Sequence, residues 1–197
     1  MLRDYLLLEK IGQGSFGTCS KCLYLPTSEY VVLKEISFAN LSPCEISKTS
    51  RESSLMSKIS HPYLITFYDS FIHDNSLYIS MEYAIHGDVS SYLSKCRNEK
   101  TQVSINQIWT WLYQMTCGIE HLHKSKMLHR DLKTANLFLD KRMNIKIGDF
   151  GLSTQLTQSK EYAESVVGTP LFISPEMYQN GKYNDKVIER DIELWFS

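Results

Sequence analysis

The hydrophobic period of this chain changes just after Gly87. Before it, β-forming residues come in short runs bounded by Gly, Pro, Ser or Thr: Tyr5 to Ile11, Thr18 to Leu25, Tyr30 to Ile36, Leu64 to Phe71 and Leu77 to Glu82. One helix, Glu45 to Ile59, interrupts these strands with Leu55, Met56 and Ile59 on one face, and its Ser-rich middle is weak in intrinsic propensity. After Gly87 the apolar residues recur at helical spacing. Asp88 can cap a helix in which Val89, Tyr92, Leu93 and Cys96 fall at i, i+3, i+4 and i+7. Ser104 and Gln107 form a capping box that opens a longer helix, with Ile108, Trp111, Leu112, Met115, Ile119 and Leu122 as its buried stripe. Strands first and helices second predict an α+β chain: a small antiparallel β lobe with one helix, a hinge near Tyr83 to Gly87, then a helical lobe.

Composition narrows the function classes. Hydrophobic residues make up 43% of the 197, enough for a core and too many for a disordered chain. The net charge of −1 comes from 21 basic and 22 acidic residues mixed along the sequence, so no basic stripe predicts binding to nucleic acid or an anionic membrane. No apolar run approaches the ~20 residues of a membrane span. Met1 to Asp4 lead straight into a strand pattern, so no signal peptide is expected. The five cysteines are scattered and odd in number. Cys19 and Cys22 form a C-x-x-C within a strand, where residues three apart face opposite ways, so reduced thiols are expected rather than a metal site. His121 and His123 read as a polar helix end, and Trp109 and Trp111 as core or groove residues.

Three stretches carry chemistry. Gly12, Gly14 and Gly17, in I-G-Q-G-S-F-G-T-C, are followed by more strand rather than by a helix, so they predict a β-hairpin lid and not a dinucleotide fold. Without side chains, such a loop lets backbone amides approach phosphate oxygens. Lys34 ends the apolar strand Val31-Val32-Leu33 and can reach the α- and β-phosphates, with Glu52 on the helix as the anion that fixes it. Taken alone, Lys34 would read as a solvated strand end and Glu52 as a solvated helix carboxylate. The third stretch is Leu128-His129-Arg130-Asp131-Leu132-Lys133-Thr134-Ala135-Asn136. Asp131 can take the proton of an attacking hydroxyl, Lys133 can neutralise the transferring phosphoryl group, and Asn136 offers an oxygen to Mg²⁺. Asp149, after the short strand Asn144 to Ile147, supplies a second oxygen ligand, which suits the preference of Mg²⁺ for few protein oxygens plus phosphates and water.

In this order, the glycine loop, strand lysine, H-R-D-x-K-x-x-N and D-F-G resemble the eukaryotic protein kinases, from about Tyr5 to Lys186. The resemblance implies the two-lobed kinase fold and an ATP-dependent kinase with ATP and Mg²⁺ as cofactors and protein hydroxyls as acceptors. It implies an N-lobe over residues 1–83, a C-lobe over 84–186 and a divergent tail over 187–197. The ATP site it implies comprises Ile11, Gly12, Gln13, Gly14, Ser15, Phe16, Gly17, Thr18, Cys19, Val32 and Lys34. It adds Met81 as gatekeeper, Glu82 to Ala84 as the adenine hinge, Asp88 near the ribose, and Phe138 beneath the adenine opposite Cys19 and Val32. His129, Phe150, Met56 and Phe67 would form the regulatory spine.

Lys133, Gly168-Thr169-Pro170 and Ser174-Pro175-Glu176 resemble the serine/threonine class, and K-T-A-N-L-F-L-D most resembles the NIMA-related (Nek) kinases. That pattern implies Ser165 as the activation-loop phosphosite, Thr169 in the loop that contacts substrate, and a cytoplasmic location with cytoskeletal or nuclear association. After Lys186 the family pattern calls for S-D-I-W-S-L-G, whereas this chain reads V-I-E-R-D-I-E-L-W-F-S, so a C-terminally truncated kinase fold is expected. An impaired kinase fold that binds nucleotide or a partner is the alternative on this ground.

Overall fold

In the computed structural model, Gly14 and Gly17 face each other across a hairpin whose two strands open the first sheet. The structure describes residues 2–14, 17–39, 42, 44, 46, 47, 49, 53, 56–129, 131–148 and 154–155. The chain divides into two units, Met1–His61 with Ile65–Ile85, and Pro62–Leu64 with His86–Ser197.

The first unit is an antiparallel sheet of β1 (Tyr5–Gly14), β2 (Gly17–Tyr24), β3 (Glu29–Ser37), β4 (Phe67–His73) and β5 (Ser76–Glu82), in the order β1-β2-β3-β5-β4. Period-two alternation gives it two apolar faces. Tyr5, Cys22, Val31 and Leu33 form the core of one face, joined by Phe71 and Tyr78. Tyr5 and Phe71, from the two edge strands, stack at 5.8 Å, so the sheet is strongly curled. Phe38, Leu77 and Ile79 form the core of the other face, with Ile36, Ile46, Phe67 and Met81 against it. Register shifts between Leu7 and Glu9, and between Lys10 and Gly12, leave Leu8 and Ile11 unpaired and add twist to the glycine hairpin.

The strands match the sequence reading within a few residues, except that β4 begins at Phe67 and not Leu64. Leu64 instead makes an isolated parallel bridge to Ile147 in the second unit. The expected helix over 45–59 is described only in part: Cys44, Ile46, Ser47, Thr49, Ser53 and Met56 are helical, and Leu55 lies outside the described residues.

The second unit contains α1 (Val89–Asn98), α2 (Ile105–Lys124), β6 (Met127–Leu128), β7 (Leu137–Leu139), β8 (Ile145–Ile147) and β9 (Thr154–Gln155). Asp88 caps α1 by accepting from Ser91 N at 2.8 Å, as its position predicts. Of the expected α1 stripe, Val89 alone is buried. Ser104 caps α2 by accepting from Gln107 N, but the capping box closes on one side only: the Gln107 side chain donates to Met143 O at 3.3 Å instead. Trp111, Met115, Ile119 and Leu122 are buried as expected, while Ile108 faces outward. Gln114 and Gly118 share the buried face. A Cβ at Gly118 would come within 2.8 Å of Ile147 Cδ1, so this glycine lets α2 lie directly on β8.

Candidate functional site

In the first unit, pairing across strands places Cys19 opposite Lys34 and Val32 opposite Met81. Directly paired residues share a face, so Cys19, Val32, Lys34 and Met81 lie on one side of the sheet. Cys22, three residues after Cys19, is fully buried in the core on the other side. Burial pushes its thiol pKa up. The C-x-x-C is therefore split across the sheet, and among the described residues no cluster of three His, Cys, Asp or Glu side chains could hold a metal.

Gly12 and Gly17 differ in what requires them. Gly17 has a φ of 129°, and a Cβ there would collide with the carbonyl of Glu35. Its lack of a side chain is thus demanded by the fold. At Gly12 a Cβ would meet only the Cβ of Cys19, at 3.9 Å, an ordinary contact. Glu82 uses its carboxylate locally, with Oε2 accepting from Thr66 N at 3.1 Å and from Thr66 Oγ1 at 2.9 Å. Ala84 is buried.

The second unit assembles the loop after β6. Asp131, 8% exposed, receives two contacts on Oδ2, from Lys133 Nζ at 2.8 Å and from Asn136 Nδ2 at 3.0 Å. Asn136 Nδ2 also donates to the backbone carbonyl of Asp131 at 2.6 Å. The short 3-10 turn Thr134–Asn136 carries this amide back toward Asp131. His129 is completely buried behind it. The backbone N–H of Asp131 donates to His129 Nδ1 at 3.3 Å, so Nδ1 bears no proton. The ring proton must then sit on Nε2, which donates to Gly148 O at 2.8 Å. Gly148 N in turn donates to Asn136 O at 2.9 Å. Asp131, Lys133 and Asn136 are thus brought together in one loop. Asp88 and Phe138 meet through a β-bridge, and both Asp88 carboxylate oxygens hold Ser91.

A network that the sequence reading passed over holds the turn between β7 and β8. Asp140 Oδ1 accepts from Arg142 N at 2.7 Å and Asn144 N at 2.8 Å, and Oδ2 accepts from Asn144 Nδ2 at 3.0 Å. Partial burial pushes the Asp140 carboxyl up, but these donors, with Lys146 nearby, outweigh it and hold the group below its ordinary value. Trp111 Nε1 reaches Met143 O at 2.8 Å, at a residue whose φ of 64° turns the chain sharply. Gln114 donates to Asn144 Oδ1 at 2.7 Å and accepts from Ile145 N at 2.8 Å. The available signal was Gln114 itself, a polar residue on an otherwise apolar helix face.

Ser15, Phe16, Glu52, Arg130, Asp149, Phe150, Ser165 and Thr169 lie outside the described residues, as does the tail over 187–197. No helix among the described residues is long and apolar enough to cross a membrane.

The protein kinase domain family matches residues 5–192. This chain belongs to that family. It is 40% identical over 188 residues to the probable serine/threonine-protein kinase nek2 of Dictyostelium discoideum, covering 93% of this chain and 45% of that protein. It is 38% identical to human serine/threonine-protein kinase Nek5 over 183 residues, covering 92% and 26% of the two chains. With human serine/threonine-protein kinase Nek2 it shares 34% identity over 190 residues, covering 93% and 43%. Within the kinase family the chain is therefore Nek-like, and it spans less than half the length of these relatives. The family match runs six residues past Lys186.

Proposed function

We propose that this domain transfers the γ-phosphate of ATP to serine or threonine hydroxyls of proteins. The observation that carries the reading is the buried Asp131 carboxylate, gripped by Lys133 and Asn136, in a chain of this family. Asp131 would accept the proton of the incoming hydroxyl and hold its oxygen in line. The new oxygen–phosphorus bond forms as the bond from the γ-phosphorus to the bridging oxygen breaks, and ADP leaves with that electron pair. Lys133, beside Asp131, would neutralise charge on the transferring group.

Asn136 fits a role toward Mg²⁺. Its nitrogen is committed to Asp131, which leaves the amide oxygen as the hard donor that this ion prefers. Asn136 and Asp149 would hold the ion, which neutralises phosphate charge when bound. Lys34, anchored by Glu52, would grip the α- and β-phosphates beside the glycine hairpin from Ile11 to Thr18. Cys19, Val32 and Phe138 would enclose the adenine, with Met81, the Glu82 to Ala84 segment and Asp88 around it. Residues 1–83 would serve as the nucleotide-gripping lobe and 84–186 as the catalytic lobe. Ser165 would be the activation-loop phosphosite, and Thr169 would contact the substrate. A cytoplasmic site of action, with cytoskeletal or nuclear association, follows from the Nek resemblance alone.

The test is incubation of the purified chain with γ-labelled ATP, Mg²⁺ and a serine- and threonine-containing protein, followed by phosphoamino-acid analysis. Labelled phosphoserine or phosphothreonine is expected. Phosphotyrosine alone, or ATP binding with no transfer, contradicts the proposal.

A further inference from the structure

We propose that Gln114, on the buried face of α2, is a positioning residue for Asp131 and Asn136 and acts through β8. Its catalytic consequence rests on the phosphotransfer reading above. The structural link rests on hydrogen bonds alone.

β8 pairs with β7 along one edge. Among the described residues no strand pairs with its other edge at Ile145, and the Ile145 N–H is satisfied by Gln114 Oε1 at 2.8 Å. Two residues on, the Ile147 N–H is taken by Tyr63 O at 2.9 Å. Gln114 therefore stands in for a neighbouring strand at the start of β8. Its own orientation is fixed, because Nε2 donates to Asn144 Oδ1 at 2.7 Å and the residue is 5% exposed. Asn144 is locked in turn by Asp140. The amide cannot flip without pairing like with like at both ends.

The far end of β8 leads to Gly148, whose N–H holds Asn136 O and whose carbonyl holds the His129 ring. Asn136 holds Asp131 at Oδ2 and at its carbonyl, and His129 holds its N–H, beside the Lys133 contact on Oδ2. Releasing Ile145 thus loosens a three-residue strand whose next residue anchors two of the residues that hold Asp131, Asn136 and His129. A merely structural glutamine would affect stability alone. A positioning residue also changes the local order of Gly148 and the turnover of folded enzyme.

The experiment compares the full chain with Gln114→Met, which keeps the length of the side chain and removes both hydrogen bonds. Gln114→Asn, too short to reach Ile145 but still polar, is read in the same way if the first variant does not fold. Trp111→Phe is the control: it loses the bond to Met143 O at the turn and leaves β8 held. Amide exchange at Gly148, corrected for global stability, should rise about tenfold or more in either Gln114 variant and stay within about twofold of the parent in the control. At a temperature where each variant is folded, kcat should fall about tenfold or more, with KM for ATP within about twofold. Unchanged Gly148 exchange in both Gln114 variants overturns the proposal, as does an equal loss of kcat in Trp111→Phe. A parent that transfers no phosphate while Gly148 still responds to Gln114 would refute the phosphotransfer reading and support the structural link.

Discussion

The side chain of Asn136 reaches Asp131 twice with one nitrogen, at the carbonyl and at carboxylate Oδ2, 2.6 and 3.0 Å away. The residue assigned to the metal therefore also shapes the seat of the proposed base. Asn136→Ala should lower turnover on the order of 10²-fold or more, since a displaced reacting group costs that much even without loss of a ligand. Steady-state kinetics against varied Mg²⁺ checks this, and turnover within about threefold of the parent counts against it.

The loop glycines should separate into two behaviours. Gly17→Ala forces a side chain into left-handed backbone and onto the Glu35 carbonyl. Its cost should be at least the ~1–3 kcal/mol of such strain, a fall of several degrees in Tm. Gly12→Ala, with only an ordinary contact to Cys19, should melt close to the parent and show its effect in nucleotide affinity instead. Thermal melts with and without ATP distinguish the two. Equal destabilisation by both would contradict the distinction.

Asp140 links the turn between β7 and β8 to pH. Its folded pKa lies below the ordinary 3.8. Above 3.8 the stabilisation it gives is complete, and it fades as pH falls through the depressed folded value. In Asp140→Asn, the amide nitrogen would face the Asn144 amide, so stability at neutral pH should drop and the acid limb should flatten. Melting curves between about pH 2 and 6 test this, and parallel acid limbs for the two proteins would disprove it.

Tyr78 should add to the loss of stability of the first unit at alkaline pH. Burial, then the hydrogen bond from its hydroxyl to Glu35 Oε1 at 3.0 Å, push its pKa up to about 12. A raised tyrosine pKa gives stability that is full below the ordinary value of 10.0 and is lost as pH climbs toward 12. Tyr78→Phe should remove that alkaline loss. An unchanged melting profile from about pH 9 to 11.5 in the variant would refute the assignment.

The strands, the glycine hairpin and the Asp131 loop could be read from the sequence because their signals are local. Alternation marks the strands, and Asp131, Lys133 and Asn136 sit within one short turn. What escaped notice depends on distance along the chain. Gln114 breaks an apolar stripe for the sake of Asn144 and Ile145, 30 and 31 residues later. Gln107 has the spacing of a capping box, yet its side chain goes to Met143, 36 residues away. Glu82 ends the run Leu77 to Glu82, and only folding reveals that Thr66, 16 residues earlier, holds its carboxylate. Leu64 carries a strand-like pattern but joins the second unit through Ile147, which no period could indicate.

In the proposed reaction Asp131 serves the chemistry and not the grip on nucleotide. Asp131→Asn keeps the size of the side chain and removes the carboxylate that Lys133 pairs with. ATP affinity, measured by titration calorimetry, should stay within about threefold of the parent, while transfer of labelled phosphate to protein falls roughly 10²–10⁴-fold, the range of general-base catalysis. Transfer by Asp131→Asn at the parent's rate, with both proteins folded and binding ATP, would rule out Asp131 as the base.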